Sequence, residues 1–69
     1  MNSEPFYKAA LSYWEAQKRE AIATLNLYFS NSVGIGEHSD VMAAIDGEIN
    51  SIAQAHEKIE IINHYFLNR

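Results

Sequence analysis

Sixty-nine residues make one domain at most, and the lack of cysteine excludes both disulfides and thiolate metal sites. The formal net charge is −4, and Lys8, Lys18, Arg19, Lys58 and Arg69 are scattered along the chain. That excludes the clustered basic footprint with which proteins grip nucleic acid or an anionic membrane surface.

A hydrophobic fraction of 48% with one proline is too apolar for a disordered chain. A core this small supplies only a few kcal/mol, so folding is expected to involve a partner. The amino terminus, Met1-Asn2-Ser3-Glu4-Pro5, has no basic segment leading into an apolar run, so no secretion signal is expected. The apolar runs are too short for a transmembrane helix. The expected setting is therefore the cytoplasm.

The first helix is predicted over about 4–30. Pro5 suits a first turn because its missing N–H would be unpaired there, and Ser3 or Glu4 supplies the cap. From Phe6 to Phe29 there is neither glycine nor a further proline. Tyr7, Leu11, Trp14, Lys18, Ala21, Leu25 and Tyr28 recur in steps of three and four, which traces one face of a helix. Ala10, Tyr13, Ile22 and Phe29 widen that face. Lys18 can lie along it by its aliphatic stem. Glu15, Gln17, Arg19 and Glu20 make the polar side.

A bend is predicted over about 31–39. Asn31, Ser32, Gly34 and Gly36 are poor helix residues, and glycine can take the backbone conformations that reverse a chain. Val33 and Ile35 are expected to tuck beneath it. Glu37, Ser39 and Asp40 offer cap and dipole partners to the next helix.

The second helix is predicted over about 40–67. Met42, Ile45, Ile49, Ile52, His56, Ile59, Ile62 and Phe66 again step by three and four. Gly47 inside it is either a tolerated weakness or a place of close backbone approach.

Folding back near residue 35 pairs residues whose numbers add to roughly 70: Leu11 with Ile59, Trp14 with His56, Ala21 with Ile49, Leu25 with Ile45. The resulting fold class is all-α, an antiparallel two-helix hairpin. Two helices cannot enclose faces this wide, so dimerisation into a four-helix bundle is expected. The core and dimer residues are then Tyr7, Leu11, Trp14, Ala21, Leu25, Tyr28, Ile45, Ile49, Ile52, His56, Ile59 and Phe66.

Candidate chemistry is sparse. His56, Glu60 and His64 lie four residues apart in turn and form the one candidate metal-binding set. Di-iron bundles, however, draw Glu-x-x-His pairs from two helices, and that spacing is missing. The plainer reading is a solvated Glu60 with His56 at the interface, where burial of the imidazole would make association sensitive to pH. Phe6, Tyr7, Tyr65 and Phe66 should meet at the end away from the bend, as a packed layer or as a patch for a larger protein partner. No nucleophile has a base near it, and Gly34-x-Gly36 follows no strand, so neither an enzyme nor a nucleotide site is expected and no cofactor is called for.

Ala23-Thr24-Leu25-Asn26-Leu27-Tyr28-Phe29 followed by Val33-Gly34-Ile35-Gly36-Glu37-His38-Ser39-Asp40 resembles a group of small helical proteins of marine tailed phages, including cyanophages. The similarity runs from about Trp14 to Phe66. It implies a phage accessory or virion protein made in a bacterial cell, and it carries no activity over. It also marks Gly34, Ile35, Gly36, Glu37 and His38 as the bend signature, with Glu37 and His38 as polar residues that do more than cap a helix. The function expected is protein–protein interaction, with a homodimer as the first partner. A helical bundle that binds a metal or small ligand through His56, Glu60 and His64 is the alternative.

Overall fold

The computed structural model describes residues 4–30 and 39–67. They form helix α1, Glu4–Ser30, helix α2, Ser39–Ile62, and a closing π-helical turn, Asn63–Leu67. No strand occurs among them. Residues 31–38 reach at most about 30 Å when fully extended, whereas α2 is about 36 Å long. A link that short cannot carry the chain back to the start of α1, so the two packed helices are an antiparallel hairpin. The molecule measures 55 × 15 × 14 Å.

Helix α1 runs unbroken because Pro5 stands in its first turn and nothing after it removes a backbone donor. The Ser30 hydroxyl donates to the Leu27 carbonyl at 3.3 Å, occupying one of the acceptors a helix end leaves open. Two mid-helix hydroxyls are satisfied the same way: Thr24 donates to the Glu20 carbonyl at 3.0 Å and Ser51 to that of Gly47 at 3.1 Å.

The core is a single seam between the helices. Ala21 and Leu25 are buried on α1, and Ile45, Ala55 and Ile62 on α2. Tyr7, Leu11, Trp14, Lys18 and Tyr28 are half-buried along α1, as are Val41, Glu48, Ile52 and Ile59 along α2. The stripe expected on α1 is thus the one turned inward.

On α2 the seam differs from the expected stripe by a fraction of a turn. It passes through Ala55, which is 0% exposed, while His56 lies outside it. Met42 and Ile49 are exposed as well. Ile45, Ile52 and Ile59 border two lines at once, one through Val41, Glu48 and Ala55 and one through Met42, Ile49 and His56. A step of one residue turns a helix by about 100°, so the second line looks sideways out of the hairpin.

The end of α2 also departs from expectation. The α-helix stops at Ile62, and the π-helical turn that follows takes an extra residue per turn, shifting later positions out of phase with the seam. Phe66, expected on the stripe, is therefore exposed. The His64 and Tyr65 rings meet edge to face at 4.6 Å, and Tyr65 and Phe66 lie tilted at 6.5 Å.

Gly47 has open space where a side chain would stand. A Cβ built there meets nothing within 4 Å, which removes close approach within the hairpin as its reason. Gly47→Ala should then stabilise the helix by about 0.5–1 kcal/mol through helix propensity and a less flexible unfolded chain. A rise of several degrees in melting temperature, followed by circular dichroism, checks this.

Candidate functional site

One side of the hairpin gathers exposed apolar residues from both helices. On α1, Ile22 follows buried Ala21 and Phe29 follows half-buried Tyr28. On α2, Met42 follows Val41, Ile49 follows Glu48, and His56 follows Ala55. Each of these residues sits one step past the seam. Because the helices face each other and run in opposite directions, that step turns both to the same side of the pair.

Ile22, Phe29, Met42 and Ile49 accordingly share a face in the half of the hairpin nearest the bend. They are 41%, 62%, 57% and 47% exposed. The Lys58 ammonium lies 4.6 Å from the centre of the Trp14 ring, so this part of α2 runs beside that part of α1. Counting towards the bend from that pair, Ile22 falls near Ile49 and Phe29 near Met42, on the flank of a seam that buries Leu25 and Ile45. The four form an exposed apolar cluster in which Asn26 and Asp46, one step past Leu25 and Ile45, are the polar members.

The same face becomes polar in its other half. Glu15 lies seven residues before Ile22, and His56 seven after Ile49, so both continue the two rows. The His56 Nε2 is 3.3 Å from the Glu60 Oε1, and both side chains are exposed.

The opposite face is built differently. It holds exposed Phe6, Tyr13, Leu27 and Ile61, divided between the two ends of the hairpin. Gln17, Glu20 and Gln54 lie between them on the same flanks. Tyr13 stands edge-on to Trp14, ring centres 4.9 Å apart. Phe6 and Tyr65 are both exposed, so the aromatic end does not close into a packed layer within one chain.

Trp14 is covered by Lys58 rather than by His56. A lysine stem is long enough to lay its ammonium over an indole from a neighbouring turn, and the ring face attracts the charge. Of the residues expected at the core or dimer face, Ile49, His56 and Phe66 are thus exposed in the single chain. The others are buried or half-buried.

His56, Glu60 and His64 do not come together as three ligands. His56 and Glu60 pair, while His64 lies in the π-helical turn against Tyr65. Among the described residues no group of three His, Asp or Glu side chains is placed to share a cation. Gly34, Ile35, Gly36, Glu37 and His38 lie outside the described residues. No described helix is long and apolar enough to cross a membrane.

Fold and face together define a class: an all-α helical hairpin with exposed apolar residues gathered on one flank near the bend. No family model, curated protein or solved structure matches the chain.

Proposed function

We propose that the protein is a non-enzymatic interaction module whose first partner is a second copy of itself, two hairpins making a four-helix bundle. The observation that carries this reading is the heptad-spaced pair of rows, Ile22 with Phe29 and Met42 with Ile49, exposed side by side. A helix in a four-helix bundle touches two neighbours and needs two adjacent apolar lines, which is what α2 carries.

Surface area supports the same reading. The chain exposes 5344 Å² at a mass of 7.8 kDa. A compact monomer of that mass exposes about 4,400 Å². The surplus, roughly 900 Å², goes with the elongated outline, and pairing along one flank, with about 800 Å² given by each partner of a stable interface, would remove most of it. In this reading the setting is that of a small accessory protein in a phage-infected bacterial cell, consistent with the resemblance of its bend.

Light scattering coupled to size exclusion tests the proposal with wild type and Ile49→Asp. Wild type should show twice 7.8 kDa across a wide concentration range. In the variant a carboxylate replaces an isoleucine on the flank, so the hairpin core is untouched. Removing about 1.5–3 kcal/mol of burial from each copy should raise the dissociation constant at least 100-fold. A wild-type mass of 7.8 kDa at every concentration would overturn the proposal.

A further inference from the structure

Taking self-association as its premise, we propose that the second copy packs on the Ile22, Phe29, Met42 and Ile49 face with its bend at the same end as the first. The hairpins are then related by a two-fold axis parallel to the helices. Helix α1 of one copy lies against α2 of the other, and every neighbouring pair of helices is antiparallel.

The two rows decide this orientation. With the bends together, residues that are level in one chain are level across the interface. Ile22 comes near Ile49 of the second copy and Phe29 near its Met42, with Asn26 near its Asp46 between them, so in the bend halves apolar residues cover apolar ones and the polar pair meets itself. One heptad further on, Glu15 meets His56 of the second copy, where an imidazole N–H can donate to a carboxylate. Apolar meets apolar and polar meets polar along the whole face.

With the bends at opposite ends, α1 lies against α1 and α2 against α2. Full overlap then sets the apolar half against the half that holds Glu15, His56 and Glu60, whose charges would be desolvated against Ile22 and Ile49. Overlap of the bend halves alone avoids this, but it covers only half the length of the face. The aromatic face is a poorer seat for a second copy. Its exposed apolar residues are split between the ends, with Glu20, Gln17 and Gln54 between them.

The absence of cysteine makes the arrangement directly testable. Chains carrying Ile22→Cys are mixed with nitrogen-15-labelled chains carrying Ile49→Cys, and the mixture is oxidised and weighed by mass spectrometry. Both positions are exposed flanks, so neither change opens the core. A disulfide needs Cβ atoms about 3.5–4.5 Å apart, so only directly opposed positions link.

The expected result is a mixed disulfide well above the statistical half of linked product, with each variant alone linking poorly. Linking within each variant would overturn the orientation while leaving the dimer standing. So would a mixture that is dimeric by light scattering and does not link. Oxidation is run at a concentration where the mixture is dimeric by light scattering, and wild type that is monomeric at every concentration would take down the self-association itself.

Discussion

Ala55→Asp is expected to unfold the hairpin, and His56→Gln, one residue further along, to leave it folded. Ala55 is the most deeply buried described residue, at 0% exposure against the seam with α1. A carboxylate there is drawn out of water into the seam between the helices, a cost of about 3–5 kcal/mol where the charge is uncompensated. Helix propensity adds about half a kcal/mol to that cost. A 69-residue chain holds only a few kcal/mol in reserve, so the helical signal in far-ultraviolet circular dichroism should be lost at room temperature. His56 is exposed, and a neutral replacement on the flank should change hairpin stability by no more than about 0.5 kcal/mol. Equal damage from both substitutions would contradict the phase of α2.

The second large effect tests how the helices stand level. Leu25 and Ile45 are each 7% exposed on the seam, and the register expected from the sequence sets them opposite one another. Leu25→Ala and Ile45→Ala should each cost about 2–4 kcal/mol, the lost transfer energy together with the cavity left behind. In a domain of this size that lowers the melting temperature by at least about 10 °C. In that register the two side chains share one contact, so the double variant should lose about 0.5–2 kcal/mol less than the sum of the singles. Strict additivity would mean that Leu25 and Ile45 pack against different neighbours. The comparison needs one fixed protein concentration, since association adds to apparent stability.

Much of this fold was legible in the residues. Gly34 and Gly36, between two long stretches of three-four periodicity, announced a hairpin. The stripe from Tyr7 to Tyr28 is the inward face of α1, because it is the line that recurs in steps of three and four along the whole helix. The phase of α2 was not legible, and the cause lies in Ile45, Ile52 and Ile59. They belong equally to a line through Ala55 and to a line through His56, and the larger side chains on the second line made it look like the core. Small size gave no guide, since Ala55 is buried and Ala44 half-buried while Ala43 and Ala53 on the same helix are exposed. Lys58 over Trp14 was hidden for a related reason. It follows Ala55 by three residues on the correct side of the helix, but a charged residue is not sought in a core pattern. The π-helical turn after Ile62 left no mark in the spacing, since the three-four pattern continues to Phe66.

The elongated outline affects how this molecule behaves in motion. At 55 × 15 × 14 Å it is nearly four times as long as it is wide. A particle of that axial ratio tumbles and diffuses more slowly than a sphere of equal volume, because drag follows length more than mass. A single hairpin will therefore leave a gel-filtration column early, at the position of a compact protein well above 7.8 kDa. Side-by-side pairing thickens the rod without lengthening it, so the pair is rounder than its parts. Doubling the mass in this way shifts the elution volume much less than doubling would shift that of a sphere. Two species of very different mass can thus pass for one on a column trace, and scattered intensity is the quantity that separates them.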